Sequence, residues 1–187
     1  MERHISTSNH FSEVLNKERL QAIVLQSLAE LSAPDFTFDT FAFIGLSGAT
    51  LAPILAYEMD KELLMIRKKG GKDGSASTRW VEGHLSAQRV VIVDDLVATG
   101  STMSQVMHAL RYIQVGYSPK IKVVGVLLHH CCNLSTGGYE ARLYKMKDET
   151  RDARRVADEL SIAEERFKHP LTDELVQYRD KPPLIER

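Results

Sequence analysis

Arg89-Val90-Val91-Ile92-Val93-Asp94-Asp95-Leu96-Val97-Ala98-Thr99-Gly100-Ser101-Thr102 is the stretch that decides the fold. Four consecutive apolar β-branched residues, Val90 to Val93, read as a strand buried on both faces. The run ends on two adjacent carboxylates, passes through small and hydroxyl-bearing residues, and then takes on a helical pattern. Backbone N–H groups and hydroxyls from Ala98 to Thr102, at the start of a helix, are suited to wrapping a phosphate. Asp94 and Asp95 would repel that phosphate if they faced it. Their better use is to accept hydrogen bonds from sugar hydroxyls a short distance away, so the stretch reads as a holder for a phosphorylated sugar.

Outward from this strand, helices and strands alternate. Asn16 reads as the N-cap of a helix with Leu20, Ile23, Val24, Ser27, Leu28 and Leu31 on one face, stopped by Ala33-Pro34. Phe41 to Leu46 reads as a buried strand, and a helix is expected from about Thr50 to Met59 with Pro53 in its first turn. Leu63 to Ile66 is the next strand. The polar, basic and glycine-rich segment that follows, from Arg67 to Ser75, reads as a mobile loop. Past the central stretch, Val106, Ala109, Leu110 and Ile113 line a helix that ends at Gly116. Ile121 to Leu128 and Ala141 to Met146 are strands, and a tail helix from about Glu149 to Phe167 carries Val156, Leu160, Ala163 and Phe167 on one stripe. The pattern predicts an α/β fold: a mostly parallel twisted sheet with helices on both faces and binding loops at the carboxyl ends of the strands.

The 187 residues fit a single domain, with its core at about 36–146 and the terminal segments as a small hood or as dimer elements. A net charge of −1 argues against a nucleic-acid partner. The apolar runs are too short to span a bilayer, and the N-terminus lacks the apolar core of a signal peptide. Cys131 and Cys132, the only cysteines, are adjacent and cannot staple distant segments, so a cytoplasmic setting is expected.

The stretch Val93-Asp94-Asp95-Leu96-Val97-Ala98-Thr99-Gly100-Ser101-Thr102-Met103 resembles the phosphoribosyl pyrophosphate (PRPP) signature of the type I phosphoribosyltransferases, in wording nearest the adenine members. The resemblance covers roughly residues 41 to 128. It implies that Asp94 and Asp95 bind the ribose hydroxyls, and that Val97, Ala98, Thr99, Gly100, Ser101 and Thr102 hold the 5′-phosphate. It further implies Mg²⁺, held mainly by PRPP and water. A second loop, Ser47-Gly48-Ala49-Thr50, resembles the adenine group's pyrophosphate loop, with serine at Ser47 where that group usually has arginine. A small-residue turn joining strand to helix is the plain alternative for this loop.

Arg67, Lys68, Lys69 and Lys72 would bring positive charge to departing pyrophosphate when a loop closes. Lys72-Asp73-Gly74-Ser75 through Val81-Glu82-Gly83 resembles the mobile loop of the orotate members, whose lysine reaches the partner subunit's site. Lys72 is taken as the catalytic lysine on that resemblance; an exposed, solvated charge run is the competing reading. His129-His130-Cys131-Cys132 has zinc-ligand types but no second pair at zinc-finger spacing, and is better placed as a wall near the nucleobase. His129 and Trp80 are the base-binding candidates, with Glu82 a further base-facing acid; Trp80 and Glu82 serve equally as loop anchors.

The function expected is Mg²⁺-dependent transfer of 5-phosphoribosyl from PRPP to a base such as adenine or orotate, as in purine salvage, by a homodimer. The rival is a non-catalytic PRPP or nucleotide-binding regulator on the same fold.

Overall fold

The computed structural model describes residues 14–67, 81–95, 101–133 and 138–146. The elements in order are α1 (Lys17–Leu31), β1 (Thr40–Ile44), α2 (Gly45–Met59), β2 (Glu62–Ile66), β3 (Val81–Gly83), β4 (Arg89–Asp94), α3 (Ser101–Gly116), β5 (Lys122–Asn133) and β6 (Gly138–Lys145). The strands form one sheet in the order β3-β2-β1-β4-β5-β6. Its four inner strands are mutually parallel, and the edge strands β3 and β6 run antiparallel to their neighbours.

Every residue of β1 and all but the first of β4 are buried, which is why both read as unbroken apolar runs rather than alternating ones. On one face Phe41, Phe43, Val91, Val93 and Leu127 pack under α1 and α2. On the other, Ala42, Ile44, Val90, Ile92 and Val126 pack under α3 through Met103, Val106, Leu110 and Ile113. The expected sheet with helices on both faces is therefore present. Among the described residues no helix is long and apolar enough to cross a membrane.

Local signals start and stop α1. The Asn16 side chain accepts the Arg19 N–H at 3.0 Å, Glu18 lies in the first turn, and the Ser32 N–H returns to the Leu28 carbonyl at the end. The same helix covers the exposed edge of β6, where Ala141 N–H donates to Gln26 Oε1 and Leu143 N–H to Glu30 Oε2. Those strand-edge donors would otherwise invite another chain.

At the amino end of the sheet, Asp39 ties β1 to β4. Its Oδ2 accepts from Arg89 N–H at 2.8 Å and Gln88 N–H at 3.1 Å, and its Oδ1 accepts the Thr40 hydroxyl at 2.6 Å.

Three expectations need correction. The helix expected from Thr50 begins at Gly45 instead. Glycine and serine are weak helix formers, so Gly45 to Gly48 look like a loop, yet Gly45 adopts φ 68° and turns the chain directly out of β1 into the helix. Pro53 consequently lies in the helix interior, where its missing N–H leaves the Ala49 carbonyl without an i+4 partner. The strand expected to end at Leu128 runs on to Asn133, because β6 pairs with it at Cys131–Glu140 and Cys132–Tyr139. Val81-Glu82-Gly83, expected as the end of the mobile-loop stretch, is the strand β3. There Gly83 has φ 113°, and a Cβ would come within 2.2 Å of the Leu63 carbonyl.

Candidate functional site

Parallel pairing brings the carboxyl ends of four strands to one edge. Ile44 of β1 pairs with Ile66 of β2, Phe43 with Val93 of β4, and Asp94 with Leu128 of β5. Arg67, Gly45, Asp94 with Asp95, and His129 therefore lie in a row along this edge, which is where an open parallel sheet binds ligands.

Gly48 brings the first turns of α2 down onto this edge. A Cβ there would stand 2.6 Å from both the Phe43 Cβ and the Val93 carbonyl oxygen, so helix and sheet meet closer than any side chain would allow. That approach lets the Ser47 hydroxyl donate to Asp94 Oδ1 at 2.9 Å. The same oxygen accepts the Asp95 N–H at 3.0 Å. From β5, His129 Nε2 stands 3.2 Å from the Ser47 carbonyl, which also accepts the Thr50 hydroxyl at 2.8 Å. A carbonyl only accepts, so Nε2 carries the proton.

Asp94 is 3% exposed. Burial pushes its carboxyl up to about 7, and the neighbouring charge of Asp95 adds to the rise, while the Ser47 hydroxyl and the Asp95 N–H oppose it. Burial lowers His129, against the pull of the Ser47 carbonyl and the Asp95 charge. At neutral pH the edge thus holds a buried acid whose ionisation its surroundings oppose, a half-buried Asp95 and a neutral imidazole.

The other candidates fall as follows. Arg67 is at the edge, but its guanidinium is paired with Glu82 across β2 and β3, at 2.9 Å from Nε and 2.8 Å from the terminal nitrogen. Glu82 is in this structure an anchor for Arg67. Ala49 is half-buried on α2. Ser101 opens α3 and Thr102 is half-buried in its first turn, so the helix does begin where the phosphate loop was expected to end. His129 is 1% exposed, within β5 rather than beyond it. Val97, Ala98, Thr99 and Gly100, with Lys68, Lys69, Lys72, Trp80 and the tail stripe, lie outside the described residues. Among those described, no three His, Cys, Asp or Glu side chains cluster so as to hold a metal.

Sequence reasoning did not find the bond from Ser47 to Asp94 or that from His129 to Ser47. Each joins residues far apart in the chain, and no local pattern announces either.

A family model described as the phosphoribosyl transferase domain matches residues 10–145. The chain belongs to this family. The phosphoribosyltransferase domain is 30% identical over 105 residues to "Transcriptional regulator GfcR 2" of Methanosarcina barkeri (strain Fusaro / DSM 804), covering 54% of this chain and 50% of the regulator. It is 37% identical over 82 residues to an adenine phosphoribosyltransferase of Marinomonas sp. (strain MWYL1), covering 37% of this chain and 46% of that one. The chain spans about half the length of these curated relatives. Among solved structures, an orotate phosphoribosyltransferase from Aeropyrum pernix superposes with a TM-score of 0.49 at 16% identity, over 70% of this chain and 73% of that one.

Proposed function

We propose that this domain binds PRPP at the carboxyl edge of its sheet and transfers the 5-phosphoribosyl group to a ring nitrogen of a base. The observation that carries this reading is the acid pair Asp94-Asp95 at the end of the central buried strand, set against the first turn of α2. Asp95, half-buried at the edge, accepts a ribose hydroxyl, and Asp94 offers its second oxygen to another. The free N–H groups at the start of α2 face pyrophosphate, and residues 97–102 take the 5′-phosphate. In the reaction the bond from ribose C1 to pyrophosphate breaks, pyrophosphate leaves with the electron pair, a C1–N bond forms, and the base nitrogen loses its proton. Arg67, Lys68 and Lys72 supply charge for the leaving group, Arg67 by exchanging Glu82 for it. Trp80 stays with the base side of this reading, while His129, 1% exposed within β5, is not offered to the base.

Among the described residues no third His, Cys, Asp or Glu joins Asp94 and Asp95 in a metal-holding cluster, and such a pair fits a cation that arrives on the substrate. Mg²⁺, when bound, neutralises charge on the departing pyrophosphate. A homodimer in a reducing cytoplasm belongs to the same reading. In support, α2 has Glu58 as its one charged residue and leaves Leu46 73% and Tyr57 86% exposed, an uncharged face able to meet its own copy.

A regulator that binds PRPP without consuming it is the second reading. It is favoured by the relatives named as transcriptional regulators and by a first turn of α2, Gly45 to Gly48, that contains no cation. One experiment separates the two: calorimetry with PRPP and Mg²⁺, then pyrophosphate release with adenine, other purines and orotate. Release with one base establishes transfer. Binding without release across the panel establishes the regulator. A protein that binds no PRPP refutes both.

A further inference from the structure

We propose that His129 is a positioning residue for Asp94, acting through Ser47: its Nε2–H grips the first turn of α2 by the Ser47 carbonyl, and that grip keeps the Ser47 hydroxyl on the Asp94 carboxylate. Its consequence for ligand binding rests on the PRPP reading above; the geometry does not.

Ser47 is held from three directions. Gly48, the next residue, has no room to move towards the sheet, with Phe43 and Val93 already in contact distance of any added atom. The Thr50 hydroxyl bonds the Ser47 carbonyl from within the helix at 2.8 Å. His129 reaches the same carbonyl from β5 at 3.2 Å, and of the three it is the hydrogen bond that ties this turn to a strand. Without it, the serine is fixed only by its own helix and by contact beneath the neighbouring glycine. With it, the chain of bonds runs from β5 through α2 to the end of β4. His129 is 1% exposed and meets this edge at the Ser47 carbonyl, so its effect on the site passes through Ser47.

The groups around Asp94 make the effect measurable. Asp95 on its own strand opposes ionisation, and the first turn of α2 contributes no charged residue. The Ser47 hydroxyl, by donating to Asp94, favours the carboxylate. His129, neutral by burial, donates from Nε2 whether or not Nδ1 is protonated, so it positions without acting as a switch.

The test is a carboxyl ¹³C titration of Asp94 in the ligand-free protein. It covers wild type, Ser47→Ala, His129→Met, His129→Gln and the double variant Ser47→Ala/His129→Met. Ser47→Ala and His129→Met are each expected to raise the Asp94 midpoint by about half a unit to one unit. The double variant is expected to move no further than Ser47→Ala alone, because one bond is being removed twice. Glutamine carries its amide N–H to about the reach of Nε2, so His129→Gln is expected to titrate like wild type. Should His129→Met not fold, His129→Asn, polar but too short to reach Ser47, takes its place in the cycle.

Additive shifts, an unmoved midpoint in His129→Met, or a glutamine variant as displaced as the methionine one would each overturn the proposal. Calorimetry with PRPP on the same proteins keeps the two questions apart. Wild type failing to bind PRPP would refute the function, while the titrations would still judge the positioning.

Discussion

Replacing Asp94 by asparagine should stabilise this protein above neutral pH and leave it almost unchanged in acid. Asp94 Oδ1 accepts from the Ser47 hydroxyl and from the Asp95 N–H. An asparagine can present its carbonyl oxygen in the same place and bear no charge. In the native protein the carboxyl is pushed from 3.8 up to about 7, first by burial and then by Asp95. The folded state therefore keeps a proton that the unfolded chain loses above about pH 4. Stability consequently falls as pH rises from about 4 to about 7, and the full penalty is present above that. A gap of about three units corresponds to about 4 kcal/mol as an upper bound, and relaxation around a coupled acid pair brings the expectation to about 2–4 kcal/mol. His129 has the opposite slope: a lowered pKa means the folded state binds fewer protons below about 6.5, so its contribution is present above that pH and lost on acidification. Both proteins keep His129, so its slope largely cancels in the difference. Urea unfolding at several pH values between 4.5 and 8.5 reads the effect. The asparagine variant should lie nearest wild type at the acid end and gain about 1–2 M in midpoint at the alkaline end. A difference that does not vary with pH, or a variant less stable at pH 8, would refute the account of Asp94 as a carboxyl held against its burial.

Gly48→Ala should lower the melting temperature by about 2–10 °C, since the added Cβ meets the Phe43 Cβ and the Val93 carbonyl at 2.6 Å and neither is a flexible chain end. An unchanged thermal transition would mean that α2 does not press on the sheet there. Asp39→Ala should cost about 1–3 kcal/mol in urea unfolding by leaving the Gln88 and Arg89 N–H groups without their carboxylate, with Asp39→Asn less damaging; equal loss in both variants would contradict this. If α2 forms the surface between two copies, Leu46→Glu with Tyr57→Glu should sediment as a monomer where wild type is a dimer. A wild type that is monomeric, or a double variant that stays dimeric, removes α2 from the interface.

The fold was legible in the sequence wherever one short segment contains its own instruction. Val90 to Val93 form an inner strand of a parallel sheet because both faces are buried, and that condition writes itself as an uninterrupted apolar run. Asn16 announces the helix it caps, and α3 begins just where the hydroxyl-rich loop ends. The errors share one physical cause. Gly45 and Gly48 look like loop residues, yet they are in a helix because tertiary contact demands it: one turns the chain at positive φ, and the other has no space for a side chain. The last residues of β5 are a strand because β6 lies beside them, which no pattern in residues 129–133 encodes.

The candidate site divides in the same way. Asp94 and Asp95 could be found from composition and position alone, because acids at the end of a buried strand have no packing role. Ser47 could be found as a small polar residue at a strand-to-helix junction, but not what it does. In sequence it stands as an arginine missing from a pyrophosphate loop; in space its hydroxyl is committed to Asp94 and its carbonyl to His129. A serine in that place makes a bond that favours the ionised form of a buried acid. The measured pH dependence of PRPP binding should therefore reveal more about this domain's chemistry than the absence of the arginine does. Affinity that rises through pH 7 as Asp94 ionises would mark the carboxylate as the group that engages the ribose, and affinity that is flat between pH 6 and 8 would leave that role to Asp95 alone.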